Sequence, residues 1–135
     1  MQLIVDPDIE DLYIAYLMEK FASRGESFPI GTKVPADGAA ESIVLMRTGG
    51  TRKTLVSDEP TLTVESRAAT ETRASWIART AGALIRASDG LVLNGHQVYE
   101  VGNAGYLVNL PDPLTEGPRY TESFSIHLRS TVTTE

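Results

Sequence analysis

The C-terminal part of the chain carries the pattern that decides the fold: residues 109–133 read NLPDPLTEGPRYTESFSIHLRSTVT. Three prolines, Pro111, Pro113 and Pro118, predict a rigid loop, because proline fixes its own φ angle. From Tyr120 onward apolar and polar residues alternate, which is typical of a strand with one buried and one solvated face. The predicted buried face carries Phe124, Ile126, Leu128 and Val132, and the predicted polar face carries Thr121, Ser123, Ser125, His127, Arg129, Thr131 and Thr133. A rigid loop joined to a long strand, without a catalytic constellation, indicates assembly.

The length and composition predict one soluble domain that spans residues 1–135. The chain contains no cysteine, which excludes disulfides, thiolate metal sites and cysteine nucleophiles. The N-terminal segment, Met1 to Asp6, has no basic residue and only a brief apolar run, so we expect no signal peptide. No apolar stretch is long enough to cross a bilayer. We therefore expect a protein that is made in the cytoplasm and does not associate with membranes.

The charge argues against sequence-specific DNA binding. The net charge is −6, whereas nucleic-acid binders gain most of their affinity by neutralising phosphates with Lys and Arg. The compact basic cluster of this chain consists of Arg47, Arg52 and Lys53 only.

Two amphipathic helices are predicted. The first runs from about Pro7 to Arg24, with Asp6 as its N-cap and Pro7 at the first helical position. The second begins at the cap Thr70 and ends near Gly90. Apolar stripes at helical spacing support both: Ile9, Leu12, Tyr13, Tyr16, Leu17 and Phe21 in the first, and Ala74, Ile77, Ala78, Ala81, Leu84, Ile85 and Ser88 in the second.

Short apolar segments between the helices predict strands. We expect Leu62 and Val64 to point inward, and Asn94-Gly95 to form a two-residue hairpin turn. The predicted segments are a long loop (Glu26 to Ala40), a strand (Ser42 to Arg47), a polar turn (Thr48 to Lys53), a second strand (Thr61 to Ala68) that pairs with the first, and a glycine-broken connection (Gly102 to Gly105).

Together these segments predict an α+β fold, with the element order helix-strand-strand-helix-strand-strand. The predicted architecture is a sandwich in which two helices cover one face of a mainly antiparallel sheet of four to five strands.

The residues with catalytic or ligand-binding potential do not form a recognisable motif. The segment Gly49 to Thr54 lacks the glycine before Lys53 and the following helix that a phosphate-binding loop requires. His96 and His127 have no partner at metal-ligand spacing, and no nucleophile-elbow sequence is present. We expect no enzymatic activity, no metal and no cofactor.

Trp76 lies opposite the apolar stripe of the second helix, among small residues. A tryptophan on an outer face is typical of an interface anchor. The alternative is that the first helix or a long loop of the same subunit covers the indole.

Two stretches resemble a known family. Residues 44–50, VLMRTGG, continuing through Asp58 into LTVE at residues 62–65, resemble the first hairpin of tail terminator proteins of long, non-contractile-tailed (siphovirus-type) bacteriophages, particularly those of actinobacteria. Residues 109–113, NLPDP, continuing to PRY at residues 118–120, resemble the lead-in to their last strand. The predicted element order and the chain length also agree, so the resemblance spans nearly the whole domain.

The resemblance implies a structural virion protein that forms a homo-hexameric ring on the end of the finished tail tube. Such a ring stops addition of the tail tube (major tail) protein and supplies the surface that joins the head–tail connector protein. Genome DNA passes through the lumen without specific binding. The implied location is the head-proximal end of the virion tail, after synthesis in the host bacterial cytoplasm. Because DNA must slide, we expect part of the −6 charge to line the channel.

Two alternatives stay open: a head–tail connector or head-completion protein of the neck, and a small monomeric binding domain that acts alone on a ligand. The predicted interface residues are Trp76, Arg47, Arg52, Lys53, Asp58, Pro111, Asp112, Pro113 and Arg119.

Overall fold

A computed structural model describes residues 1–134, which form two helices and two sheets. The elements in chain order are β1 (Gln2–Val5), α1 (Ile9–Ala22), β2 (Ile30–Gly31), β3 (Ser42–Thr54), β4 (Ser57–Arg67), α2 (Glu71–Ala87), β5 (Val92–Leu93), β6 (His96–Asn109), β7 (Arg119–Arg129) and β8 (Thr131–Thr134).

The main sheet is a curled, six-stranded, mixed sheet in the order β2-β3-β4-β7-β6-β5. All its neighbours are antiparallel except β2 and β3. Strands β4 and β7 lie at its centre, and their alternate residues, including Leu62 and Phe124, are buried against the helices. The second sheet is a two-stranded ribbon in which β1 pairs with β8.

The predicted fold class is therefore wrong. The described chain is mostly sheet, with 46% strand and 23% helix, and its element order differs from the predicted one. The sequence pattern missed β1, β2 and β8, because each is short and owes its existence to a partner far away in the chain. The predicted loop Glu26 to Ala40 contains β2, whose Ile30 aligns with Ile43 of β3.

Both predicted helices are present, but the cap of the first was assigned to the wrong residue. The side chain of Asp8, not Asp6, accepts a hydrogen bond from the Asp11 amide, and α1 begins at Ile9. Asp6 instead binds the Arg52 guanidinium and the Ser130 hydroxyl. The predicted cap of α2 is confirmed, since the Thr70 side chain accepts from the Arg73 amide.

The two helices are joined by hydrogen bonds as well as by apolar packing. The Tyr13 hydroxyl lies 2.7 Å from the Ser88 Oγ, and the Tyr16 hydroxyl donates to the Leu84 carbonyl at 2.6 Å. Leu84 is in the last turn of α2, where carbonyls run out of helical partners, so Tyr16 satisfies one of them. All the predicted apolar residues of both stripes are buried.

The first hairpin forms, but its turn lies further along the chain than predicted. Thr48 to Lys53 continues β3, and the chain turns between Thr54 and Ser57. Gly49 and Gly50 adopt positive φ angles of +135° and +116°, and the pairing with β4 shifts by one residue between Arg47 and Gly49, as at a β-bulge. The glycine pair therefore bends a continuous strand instead of ending it.

Glycines are also accommodated within β6. Gly102 and Gly105, predicted to break the chain, pair with Ser125 and Ser123 of β7. The predicted Asn94-Gly95 turn is confirmed between β5 and β6, with positive φ angles of 45° and 83°.

The last strand is shorter than its alternation predicted. Phe124, Ile126 and Leu128 are buried as expected, but Ser130 interrupts the strand and its amide donates to the Val56 carbonyl at 2.9 Å. Val132 then lies in the ribbon with β1 and is exposed, so its assignment to the buried face was wrong.

We expect Gly50→Ala to destabilise the protein more than Gly49→Ala. Both glycines have positive φ angles. An added Cβ at Gly50 would lie 2.3 Å from the Glu59 carbonyl oxygen, whereas a Cβ at Gly49 would have no neighbouring atom within 4 Å. The backbone of β4 cannot yield, so the difference in free energy of unfolding should be about 1–3 kcal/mol, measured by urea denaturation. Equal losses for the two variants would contradict this packing.

We expect stability to decline in alkali through Tyr13. Burial raises the pKa of Tyr13 to about 12, from an ordinary value of 10.0. The contribution of the neutral Tyr13 hydroxyl to the free energy of unfolding is complete at pH values below the pKa of Tyr13 in the unfolded chain. It is lost as the pH rises toward the pKa in the folded protein, because between these two values Tyr13 ionises only in the unfolded chain. Between pH 10 and 12 the free energy of unfolding should fall more steeply for the wild type than for Tyr13→Phe. Parallel pH profiles would show that the hydroxyl is not held neutral.

Candidate functional site

The main sheet has long unpaired edges on both sides. Strand β2 pairs with only two of the thirteen residues of β3, and β5 pairs with two of the fourteen residues of β6. The distal half of β3 and most of β6 are exposed. Unpaired strand edges present free backbone donors and acceptors, which associate with other strands unless they are covered.

The β3 edge is partly guarded by charged side chains. The Arg47 amide donates to Glu10 Oε2 at 2.9 Å, and the Arg52 guanidinium is paired with Asp6. These contacts occupy part of the β3 edge. The β6 edge has comparable ones, since the Val98 amide donates to the Leu91 carbonyl and the Val101 amide donates to Asp89 Oδ2.

The predicted basic cluster lies on the β3–β4 hairpin, and every member has an acidic partner. Arg47 pairs with the buried Asp58 at 2.9 Å, Arg52 with Asp6 and Lys53 with Glu59 at 3.5 Å. In the outer pairs the cation is the more exposed group: Arg52 is 46% and Asp6 30% exposed, and Lys53 is 50% and Glu59 25% exposed. Each pair is neutral overall, and its cation is the partner that is more accessible from outside.

The turn of this hairpin carries an apolar side chain that solvent surrounds. Leu55 is 75% exposed. Two contacts hold the β1–β8 ribbon beside the turn: Asp6 pairs with Arg52, and the Ser130 amide donates to the Val56 carbonyl. The ribbon also exposes apolar groups: Leu3, Val5 and Val132.

The proline loop is fixed to the opposite end of the sheet by a cluster of four charges. Arg67 and Arg119 lie directly opposite each other on β4 and β7, an arrangement that is unfavourable for like charges. Glu65 lies 3.1 Å from Arg67 and 3.4 Å from Arg119, and Asp112 of the loop lies 3.5 Å from Arg67. The loop thus supplies a carboxylate that the two arginines require.

Asp112 also organises the loop itself. Its Oδ1 accepts hydrogen bonds from the amides of Leu114 and Thr115. The Leu114 amide, with further help from Thr115 and the nearby arginines, lowers the pKa of Asp112. Leu114, between these fixed points, is 93% exposed. The loop therefore presents a leucine on a rigid support, between Pro113 and Pro118.

A second exposed apolar strip follows the open edge of β6. Tyr106, Val108 and Leu110 are each at least half exposed. The Leu110 carbonyl accepts from Arg119 Nε at 2.8 Å, so the strip is continuous with the fixed end of the proline loop.

Trp76 is not the flat outer anchor that its helical position predicted. It is half-buried, its ring meets Phe21 edge-on at a centroid distance of 6.4 Å, and the Arg73 guanidinium lies 4.7 Å from its centroid. Glu41 and, to a smaller extent, Glu26 bind the Arg73 guanidinium and raise its pKa. The intrachain alternative therefore accounts for most of the indole, and an intersubunit contact through its exposed part stays a prediction.

The predicted interface residues therefore fall into three places. Arg47, Arg52, Lys53 and Asp58 meet on the hairpin, whereas Pro111, Asp112, Pro113 and Arg119 meet at the proline loop. Trp76 lies apart from both on α2. Sequence patterns did not single out Leu55, Tyr106 or Leu114, although an apolar residue within a polar turn or between prolines is a usable signal.

A buried carboxylate beneath the helices also went unpredicted. Glu122 lies on the apolar face of β7, where Arg86 and Asn103 donate to it at 3.0 and 2.8 Å. Gly82 of α2 makes room for it, since a Cβ there would lie 2.7 Å from Glu122 Oε1. A buried charge needs such partners, so we interpret Glu122 and Arg86 as a structural ion pair.

His127 and Ser57 form a hydrogen bond that joins β7 to β4 on the opposite face of the sheet. His127 Nε2 lies 2.9 Å from Ser57 Oγ, and Ser57 Oγ lies 2.6 Å from Thr54 Oγ1. Ser57 is buried, and no carboxylate among residues 1–134 is hydrogen-bonded to the His127 ring. These hydrogen bonds therefore link strands β4 and β7 next to the hairpin turn.

No protein-family model matches this chain, and no curated protein matches it in sequence. Within the described part of the chain, no helix is long and apolar enough to span a membrane.

We expect Trp76→Ala to lower the free energy of unfolding by about 2 kcal/mol, because it removes the contacts with Phe21 and Arg73. Thermal or urea unfolding of the purified variant measures this loss. Arg79→Ala, at an exposed position of the same helix, is the control and should change stability by less than about 0.5 kcal/mol. A stable Trp76→Ala variant would show that the indole is not needed within the subunit.

Proposed function

We propose that this protein is a structural virion protein that caps the end of a siphovirus-type phage tail tube as a ring of identical subunits. By this proposal it has no catalytic role. The observation that carries the proposal is the pair of open strand edges, β3 and β6, on opposite sides of one sheet.

Open edges on opposite sides favour side-by-side association of identical subunits. Each copy would present its β3 side to one neighbour and its β6 side to the other. Such head-to-tail contacts form a ring when the rotation from each subunit to the next returns to the first subunit after a whole number of copies. Otherwise they continue as a filament. The exposed apolar strip of Tyr106, Val108 and Leu110 adds surface that association would bury.

The two ends of the sheet supply surfaces for different partners. Arg67 of β4 aligns with Ser42 of β3 and Arg119 of β7, which puts the proline loop at one end. Ser57 aligns with Arg129, which puts the hairpin turn and the terminal ribbon at the other end. A subunit with neighbours on both sides keeps both ends free, and a tube cap needs one end for the tube and one for the neck. Each end has exposed apolar groups: Leu114 at the proline loop, and Leu55, Leu3, Val5 and Val132 at the hairpin and ribbon.

The acidic composition is compatible with the passage of DNA through such a ring. Acidic residues outnumber basic ones by 18 to 12. A lumen that does not attract phosphates lets DNA slide without being held. A basic channel in an assembled ring would contradict this part of the proposal.

We expect the purified protein to limit the length of tail tubes. When tube protein polymerises alone, length should be uncontrolled, and adding this protein should shift the length distribution downward in proportion to the ratio of the two proteins. Negative-stain electron microscopy measures the lengths and locates the cap.

A matched test in the virus separates the remaining possibilities. Deleting the gene should give overlong tails. Normal tails with unjoined, filled heads would instead indicate a head–tail connector. A protein that stays monomeric beside polymerised tubes and leaves their length unchanged would favour a solitary binding domain.

A further inference from the structure

An acid-lined apolar groove lies between α1 and the β5–β6 turn. Its volume is about 500 Å³. The apolar part of its lining consists of Leu12, Ala15, Val92 and Leu93, and Val92 is one of the exposed apolar residues of the chain. Tyr16 and Asn94 add polar atoms to the lining. Asp11 and Glu19 line the groove, are both exposed, and have no ion-pair partner among residues 1–134. The groove therefore offers an apolar seat between two uncompensated carboxylates.

The hairpin turn of the same chain carries the complementary features. Leu55 is an exposed apolar side chain at its apex, and it follows the two exposed cations Arg52 and Lys53. The carboxylates that pair with these cations are less exposed than the cations themselves, so an incoming acidic surface meets positive charge first.

The strand order puts the hairpin and the β5 wall of the groove on different sides of the sheet, since the hairpin belongs to β3 and β4 and β5 is at the opposite edge. The other wall is α1, which supplies both carboxylates and contacts β3 through the hydrogen bond from the Arg47 amide to Glu10. The hairpin turn and β5 both lie toward the same end of the sheet, because Ser57 aligns with Arg129, Leu128 with Val98, and His96 with Leu93. Two copies placed side by side at one level would bring the hairpin of one toward the groove of the next.

We propose that the groove is the docking site for the β3–β4 hairpin of a second copy of this chain. Leu55 enters between Ala15 and Val92, while Arg52 and Lys53 face Asp11 and Glu19. The contact is heterologous, with each copy giving a hairpin to one neighbour and receiving one from the other. This inference rests on the proposed function, since it names the contact that would join subunits in the ring.

Disulfide trapping tests the contact directly, because the chain has no cysteine. In the double variant Ala15→Cys/Leu55→Cys, both positions are exposed and oxidation should link neighbouring copies into a ladder of covalent oligomers. A disulfide requires Cα atoms within about 7 Å of each other. The matched control is Ala22→Cys/Leu55→Cys, with another exposed position of α1 about 10 Å further along the helix, which should give no ladder.

Charge reversal tests the electrostatic part. Glu19→Lys and Lys53→Glu should each raise the concentration needed for ring assembly at least about fivefold, as native mass spectrometry or light scattering would measure. The combined variant Glu19→Lys/Lys53→Glu should restore assembly, because the opposite charges face each other again. Glu71→Lys, a reversal of an exposed acid outside the groove, should leave assembly unchanged.

The outcomes separate this inference from the proposed function. Ladder formation together with rescue by the double reversal supports the contact. Rings that assemble and cap tubes without the 15–55 disulfide, or without sensitivity to the single reversals, would overturn the inference and leave the proposed function in place. Absence of both the disulfide and any ring beside polymerised tubes would overturn both.

Discussion

The pairing of β4 with β7 is the constraint on which the rest of the structure depends. These strands are far apart in sequence, so their contact closes a long loop and has to be supported by burial of Leu62, Phe124 and their neighbours beneath the helices. Once they are paired, the hairpin partner β3 lies on one side and β6 lies on the other. The two open edges, the position of the hairpin turn and the position of the proline loop all follow from this central pair.

The same pairing of β4 with β7 brings charged side chains close together, and a side chain of opposite charge lies beside each of them. Arg67 meets Arg119 across the central strands, so Glu65 and the loop residue Asp112 are drawn to them. On the helix-covered face, Asp58 and Glu122 are buried and are matched by half-exposed arginines, Arg47 and Arg86. Because an unpaired buried charge is costly, these partners are strongly constrained. The proline loop is rigid for this reason as much as for its prolines.

The surfaces left over are those that lateral assembly would use. The described chain keeps an apolar strip on β6, an apolar hairpin apex flanked by cations, and an apolar groove flanked by carboxylates. Charge and apolar surface are therefore distributed asymmetrically between the two sides of one subunit. Such asymmetry suits head-to-tail contacts between identical copies, whereas a two-fold dimer needs one self-complementary patch.

The sequence by itself determined the local elements: both helices from apolar periodicity, the Thr70 cap from its residue type, the Asn94-Gly95 turn, and the inward faces of β4 and β7. It also located the basic hairpin and the proline loop as candidate sites. Only the tertiary structure decided that Gly49 and Gly50 bend a strand instead of ending it. It also decided that Asp6 binds Arg52, while Asp8 caps α1. Finally, it decided that Val132 pairs with Ile4. In each case a distant partner outweighs the local preference. A short segment read alone carries no information about the residue that will pair with it.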